Sequence, residues 1–127
     1  MINLFLSLLF FTDANAGTFF IGQTRLNTRV LPDHDVLNLG SCPNFTTGVT
    51  HIQLQVRKRA ADIDGLAVVY GNGIRDQLVV REKFARGSSS RWIDLQGAGR
   101  CIERISVTGD SDGLRGRRAW IRIYGEK

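Results

Sequence analysis

Apolar and polar residues alternate along much of the chain, so that hydrophobic side chains recur at every second position. Ile52, Leu54 and Val56 follow this spacing, and residues 119–124 repeat it near the carboxyl end. A period of two places alternate side chains on one face of a β-strand, whereas a helix needs a period of about 3.6. No segment keeps a sustained helical stripe, and the alternation therefore predicts an all-β protein.

Nine segments have this strand character, and clusters of glycine, asparagine, aspartate and serine separate them. Strands and turn signals that alternate every ten to fifteen residues or so are typical of antiparallel sandwiches and barrels. We therefore expect a single antiparallel β-sandwich, jelly-roll-like, or a flattened barrel of about eight strands. The expected strands cover residues 18–21, 24–30, 35–39, 50–57, 63–70, 75–83, 90–95, 101–108 and 117–124.

The amino-terminal residues have the pattern of a cleavable signal peptide. Residues 2–11 are mainly apolar, and Ala14-Asn15-Ala16 is the small-x-small motif after which signal peptidase cuts. No basic residue precedes the run, and a buried core strand is the alternative. A transmembrane helix needs about twenty apolar residues, which this run does not supply. We predict a signal peptide at residues 1–16, a mature domain at 17–127, export to the periplasm, and no stable membrane anchor after cleavage.

An Asn-Gly pair, Asn72 and Gly73, separates two apolar stretches in the middle of the chain. This pair is favoured in two-residue hairpin loops, because both central residues of a type I′ turn need a positive φ angle. We therefore interpret Asn72 and Gly73 as the structural corner of a hairpin. A ligand-binding role is the alternative.

The charge of the chain is strongly positive. It has 17 basic and 12 acidic side chains, and removal of residues 1–16 takes away Asp13, which leaves a formal net charge of +6. Most basic residues are arginines, which form bidentate contacts with carboxylate and phosphate groups. The surface therefore attracts anions, although a basic face without a dedicated ligand is the simpler alternative. Since no nucleic-acid-binding motif is present, we expect no nucleic-acid partner.

Two cysteines, Cys42 and Cys101, are the only ones in the chain. In an oxidising compartment an isolated pair is expected to form one disulfide, with two free thiols as the alternative. A loop of about sixty residues closed in this way contributes on the order of 4 kcal/mol in the chain-entropy model. Neither histidine lies at metal-ligand spacing from a cysteine, and we predict no zinc site.

Four motifs are similar to those of a known family. They are Tyr-Gly-Asn-Gly at residues 70–73, Ser-Arg-x-Ile-Asp-Leu at 90–95, Arg-x-Ile at 100–102, and a terminal strand that ends in Tyr-Gly at 124–125. On these motifs the chain resembles the YaaI-like family of small bacterial periplasmic proteins of unknown function. The resemblance implies export and an all-β fold, and it brings no established activity.

Carboxylates are interpreted as structural groups. Asp94 and Arg100 belong to these motifs, and we expect Asp94 to accept hydrogen bonds from Arg100 or from a backbone amide. The Asp-x-Asp-Gly stretches at 62–65 and 110–113 lack the glycine and glutamate spacing of an EF-hand, and Asp64-Gly65 and Asp112-Gly113 are expected to act as turn formers. We predict no metal site, and calcium at residues 110–113 is the alternative.

Catalytic signatures are absent from the sequence. The Gly-x-Ser-x-Gly elbow does not occur, and neither cysteine lies in a recognisable protease context. We therefore predict that the protein is not an enzyme and needs no cofactor. A hydrolase whose site is not visible in the sequence is the alternative.

Tryptophans accompany arginines at two places, at residues 91–92 and 118–122. Aromatic rings offer a surface on which a sugar stacks, and arginines bind acidic substituents. We predict that these residues bind an anionic glycan or lipid head group of the cell envelope. The alternatives are aromatic rings that fill the core and an adaptor protein that pairs with another chain through an edge strand. The predicted binding residues are Arg91, Trp92, Arg118, Trp120 and Arg122.

Overall fold

A computed structural model describes residues 17–26, 33–96, 100–111 and 118–127, with the side chains of residues 33 and 34 left aside. The predicted signal peptide lies outside these residues. Nine strands lie within them: β1 (Thr18–Leu26), β2 (Asp33–Asn38), β3 (His51–Arg57), β4 (Ala61–Tyr70), β5 (Arg75–Leu78), β6 (Glu82–Phe84), β7 (Ile93–Asp94), β8 (Ile102–Ser111) and β9 (Ala119–Glu126). A 3-10 helical turn at Asn44–Thr46 interrupts the connection between β2 and β3.

The strands form two antiparallel sheets that pack on each other. The first sheet has the order β1-β9-β3-β7. The second sheet has the order β2-β8-β4-β5, and the short strand β6 pairs with the first residues of β4. The all-β sandwich is therefore confirmed. The flattened barrel is wrong, because the described strands form two separate sheets of four and five strands.

Strand alternation places the core between the sheets. Ile52, Leu54 and Val56 of β3 are fully buried, and so are Ala119, Ile121 and Ile123 of β9. Their polar neighbours point to the outer face of the first sheet, as the spacing predicts. Each buried aliphatic side chain of this size contributes about 1.5–3 kcal/mol relative to an exposed one.

Two predicted strand boundaries are wrong. Segments 18–21 and 24–30 were expected to be separate, but β1 continues through a bulge to Leu26, and residues 27–32 lie outside the described structure. Segment 75–83 was expected to be one strand, but it splits into β5 and β6 around Val79, whose exposed fraction is 80%. The split occurs because the register of the pairing with β4 changes by one residue, from Leu78 opposite Leu66 to Glu82 opposite Ile63, so the chain between them bulges from the sheet.

The corner between β4 and β5 differs from the predicted two-residue turn. Tyr70 N–H donates to the carbonyl of Ile74 at 3.0 Å, so that three residues, 71–73, form the loop. Gly73 has a φ of +86°, whereas Asn72 does not share the positive φ that a type I′ turn requires. The Asn72 side chain instead accepts a hydrogen bond from Ile74 N–H at 3.1 Å. The prediction of a type I′ turn is therefore wrong, although Asn72 and Gly73 do lie in the hairpin loop.

The predicted disulfide between Cys42 and Cys101 is confirmed, with a Cα–Cα distance of 5.2 Å. It packs against the backbone of Gly71, where an added Cβ would lie 2.3 Å from Cys101 Sγ. The first glycine of the Tyr-Gly-Asn-Gly motif therefore makes room for the disulfide, and the second supplies the positive φ of the turn.

Asp76 is a buried carboxylate beside this corner. Its Oδ2 accepts a hydrogen bond from Tyr70 Oη at 2.7 Å and another from Gln96 N–H at 2.8 Å. These bonds join β4, β5 and the segment after β7, so Asp76 connects parts of the chain that are distant in sequence.

Replacing Asp76 by alanine is expected to lower the free energy of unfolding by about 2 kcal/mol, because the buried Tyr70 hydroxyl and the part-buried Gln96 N–H lose their acceptor. Chemical denaturation measures the change. Asp64, an exposed carboxylate on β4, provides the control, and its alanine variant should differ from the native protein by less than about 0.5 kcal/mol. Equal effects of the two substitutions would contradict a structural role for Asp76.

Candidate functional site

The outer face of the first sheet carries a row of aromatic and basic side chains. Trp120 of β9 lies opposite Arg25 of β1 on one side and Arg57 of β3 on the other. The Arg25 guanidinium lies 5.0 Å from the centre of the Trp120 ring, in a cation–π contact that covers one face of the indole. A ligand can therefore reach only the other face and the edges of this ring.

Arg122 lies two residues further along β9, in a row flanked by glutamines. Its Cα partners are Gln23 of β1 and Gln55 of β3, and Arg122 Nε donates to Gln23 Oε1 at 3.4 Å. The Arg122 guanidinium also lies 5.7 Å from the ring centre of Phe20. This row presents hydrogen-bonding groups next to Trp120 and carries a single positive charge.

The turn between β3 and β4 adds two more cations beside Trp120. Lys58 has a φ of +76°, which a residue with a Cβ rarely adopts, and it directs the chain into Arg59 and back to β4. Because Arg57 is the Cα partner of Trp120, this turn lies next to the start of β9. The conformation of Lys58 is one that glycine would adopt at a lower cost.

These elements form two depressions that share Trp120. The basic depression has a volume of about 330 Å³ and is lined by Lys58, Arg59, Arg86, Arg118 and Trp120. The polar depression has a volume of about 180 Å³ and is lined by Gln23, Arg57, Lys58, Trp120 and Arg122. Trp120 and Lys58 belong to both, so the two depressions are neighbours on one surface.

Several carboxylates of the described chain are engaged elsewhere. Asp35 accepts hydrogen bonds from Thr24 Oγ1 and Arg25 N–H, and Glu103 accepts one from Cys42 N–H at 2.9 Å. The ion pairs between described residues join His51 to Asp94 and to Glu126. Within the described part of the chain, the four cations of the basic depression therefore lack a carboxylate partner.

Arg59 also carries a buried donor without a partner. Its Nη2 atom is buried and has no hydrogen-bond partner among the described residues. Buried donors in native proteins are nearly always hydrogen-bonded, so this atom is an exception. Because solvent does not reach Nη2, it does not belong to the surface that the depression offers to a ligand.

The structure brings together only three of the five predicted binding residues. Arg118, Trp120 and Arg122 line the two depressions. Arg91 and Trp92 line neither, and Arg91 Nη2 instead donates to the Val79 carbonyl at 3.3 Å. They lie on the segment that pairs with β3, on the side of β3 away from β9, and they do not extend the surface around Trp120.

The predicted structural pair Asp94 and Arg100 is also separated. Asp94 is the Cα partner of His51 across β3 and β7, and its carboxylate pairs with His51 Nε2. Arg100 instead lines a separate depression of about 130 Å³ with Tyr70 and Asp76. The expected partner of Asp94 was therefore wrong: a histidine from the neighbouring strand takes the place of the arginine.

Sequence reasoning missed Lys58, Arg59 and Arg86 as site residues. The run Arg57-Lys58-Arg59 was visible at a strand end, and strand-end charges are common protection against edge pairing. Only the pairing of β3 with β9 shows that this run lies beside Trp120.

Metal and membrane signals are absent from the part of the chain that the structure describes. Its histidine, cysteine, aspartate and glutamate side chains form no group of three that could hold a metal ion. The predicted calcium alternative at 110–113 lies partly outside this part. None of the described helical segments has the length and hydrophobicity to cross a membrane.

Comparisons with known proteins give one family and one solved structure. A family profile described as a domain of unknown function, DUF2541, matches residues 2–125. A solved structure described as the structural and functional characterization of Pseudomonas aeruginosa AlgX matches with a TM-score of 0.45 and 14% sequence identity. That alignment covers 83% of this chain and 26% of the AlgX chain, and a likeness of this size carries no argument about function. A search among curated proteins gives no match.

Proposed function

The chain belongs to the DUF2541 family of domains of unknown function, and we propose that it is a non-catalytic module that binds an anionic component of the cell envelope, a glycan or a lipid head group. The ligand binds at the two depressions around Trp120. Arg118 and Arg122 hold its acidic groups, and the exposed parts of the indole contact its ring.

The observation that carries this proposal is the composition of the basic depression. Four cationic side chains and one tryptophan line a single concavity, and no described carboxylate neutralises them. Like charges that converge in this way repel one another unless an anion lies between them. Guanidinium groups hold a full positive charge at neutral pH and bind oxyanions through two parallel hydrogen bonds.

The proposed location is the periplasm. The disulfide supports it, because disulfides persist in oxidising compartments such as the bacterial periplasm and are rare in the cytosol. An envelope ligand is available in the same compartment, so the proposed location and the proposed ligand agree.

Reversing the charge of Arg118 tests this function. The mature protein is incubated with lipopolysaccharide or with peptidoglycan, and the retained fraction is measured after sedimentation. The Arg118→Glu variant should be retained at least about fivefold less than the native protein on one of these materials, because an attractive contact becomes a repulsive one. The retention of the native protein should also fall as salt rises from 0.05 M to 0.5 M or so, since salt screens exposed charges.

Arg104→Glu is the matched control for this experiment. Arg104 is exposed on β8 of the second sheet, and its substitution changes the net charge by the same amount. Retention of the control should stay within about twofold of the native value. Equal losses in the two variants would show that retention follows net charge alone, and they would contradict a site at Trp120.

Replacing Lys58 by glycine is expected to weaken retention while raising the free energy of unfolding by about 0.5 kcal/mol. Glycine removes the strain of a residue with a Cβ in the left-handed conformation, which stabilises the folded state. Part of this gain is lost because glycine also raises the conformational entropy of the unfolded chain. The control is Lys83→Gly, an exposed position on β6, where glycine should lower stability by about 0.5–1 kcal/mol. Thermal unfolding shows whether each variant is more or less stable than the native protein. A loss of stability in both variants would argue against strain at Lys58.

A further inference from the structure

The two depressions adjoin each other at Trp120 and Lys58, and we propose that the ligand is a phosphorylated sugar whose phosphate group lies in the basic depression and whose ring lies in the polar depression. This inference rests on the proposed function and makes it more specific. Trp120, which lines both depressions, contacts the ligand between its two parts.

The number of cations favours phosphate over carboxylate. Lys58, Arg59, Arg86 and Arg118 come from the β3–β4 turn, the segment after β6 and the start of β9, and all line the same concavity. A phosphomonoester carries a charge of about −1.5 to −2 at neutral pH and three strong acceptor oxygens. A carboxylate carries one charge and two oxygens, and it would leave most of the four cations unpaired. Phosphate therefore comes closer than carboxylate to the four cations of the depression in both charge and acceptor number.

The placement of the cations supports the same assignment. Lys58, Arg86 and Arg118 are exposed and come from three different parts of the chain, and Arg59 lines the same concavity. A tetrahedral anion is suited to such a set because its oxygens point in different directions.

The polar depression offers polar and apolar contacts for the sugar ring. Arg57, Lys58 and Arg122 also line it, and their N–H groups can donate to hydroxyl groups. Gln23 contributes a neutral amide that both donates and accepts hydrogen bonds, as a sugar hydroxyl does. Arg122 already donates to Gln23, so this pair presents a preformed hydrogen-bonding edge. The adjacent indole supplies apolar surface for a sugar ring. In small-molecule sites apolar side chains usually provide most of the contact surface, and a few polar groups fix the orientation of the ligand.

Calorimetric titrations of the mature protein with four small probes test the assignment. The probes are glucose 1-phosphate, inorganic phosphate, glucuronate and glucose. Glucose 1-phosphate should bind at least about fivefold more tightly than inorganic phosphate and about tenfold more tightly than glucuronate, and glucose should bind weakest. Tighter binding of glucuronate than of glucose 1-phosphate would overturn the phosphate assignment while leaving the proposed anion-binding function in place.

Two variants separate the two depressions. Arg118→Gln should weaken glucose 1-phosphate and inorganic phosphate by a similar factor, about tenfold, because both probes place phosphate in the basic depression. Gln23→Ala should weaken glucose 1-phosphate by about threefold and leave inorganic phosphate unchanged. Arg104→Gln is the control and should change neither. If Arg118→Gln changes neither titration and Arg118→Glu keeps full retention on envelope material, both the inference and the proposed function fail.

A phosphatase experiment distinguishes the two sources of a phosphorylated sugar. Retention on lipid A vesicles that disappears after phosphatase treatment would assign the lipid head group. Retention on phosphorylated core oligosaccharide that disappears after the same treatment would assign the glycan. Either result supports the phosphate, whereas retention that phosphatase does not alter on either material contradicts it.

Discussion

Replacing Cys42 and Cys101 together by alanine is expected to lower the free energy of unfolding by about 4 kcal/mol. The disulfide joins residues 59 apart in sequence. In the chain-entropy model, a cross-link over a loop of this length lowers the conformational entropy of the unfolded chain and so stabilises the folded state by about this amount. Chemical denaturation of the native protein and the double variant measures the difference. A change below about 1 kcal/mol would contradict a stabilising role for this disulfide.

Gly71→Ala shows whether the corner of the hairpin is shaped by the disulfide. In the native protein the added methyl group would lie 2.3 Å from Cys101 Sγ, so the disulfide or the turn must move. In the double alanine variant the sulfur atoms are gone, and the same substitution should cost much less. A double-mutant cycle therefore predicts a coupling of about 1–3 kcal/mol, and independent effects would contradict the packing described above.

Ligand binding should survive the loss of the disulfide. The disulfide lies where β4 ends and the basic depression lies where β4 begins, and ten residues of strand span about 30 Å between them. The double alanine variant, kept at a temperature at which it stays folded, should therefore be retained on envelope material like the native protein.

Gly109→Ala is expected to lower the free energy of unfolding by about 3 kcal/mol. A Cβ at Gly109 would lie 2.1 Å from the carbonyl oxygen of Asp62, which belongs to the backbone of the neighbouring strand. Since β8 pairs on both sides, with β2 and β4, neither backbone can move without loss of strand pairing. The cost therefore lies at the upper end of the usual range for overpacked sites.

Gly65→Ala is the matched control for Gly109→Ala. Gly65 lies in the same irregular part of the β4–β8 pair, but the nearest atoms to its added Cβ are 3.7 Å away, which is ordinary contact. Its alanine variant should differ from the native protein by less than about 1 kcal/mol. Equal losses at the two glycines would show that the bulge, and not the contact with Asp62, determines the cost.

The sequence predicted those parts of the fold that depend on neighbouring residues. Alternation in β3 and β9 identified the buried face and placed Trp120 with Arg122 on the outer face, because side-chain direction in a strand follows position alone. The break at Val79 was not visible, because Val79 and Val80 are both typical strand residues. The chain leaves the sheet there because the register of its pairing with β4 changes by one residue between β5 and β6.

The candidate site was only partly predictable, because it depends on the order of the strands. Trp120 and Arg122 lie on one strand, Arg118 directly precedes it, and the three were found together. Lys58 and Arg59 join them only because β3 pairs with β9, and the alternation of apolar residues does not determine which strands pair. Arg91 and Trp92 have the same local pattern as the residues on β9, and the same order of strands places them outside the site.

The indole N–H signals of the two tryptophans test the central claim most directly. Trp92 and Trp120 are the only tryptophans in the chain, so a nitrogen-15 spectrum of the mature protein contains two indole resonances. During titration with glucose 1-phosphate or glucuronate, the account predicts that the Trp120 signal shifts to saturation, together with the amides of Lys58 and Arg59, while the Trp92 signal stays in place. An unchanged Trp120 signal with both ligands, or equal shifts of both tryptophans, would contradict an anion-binding site at Trp120.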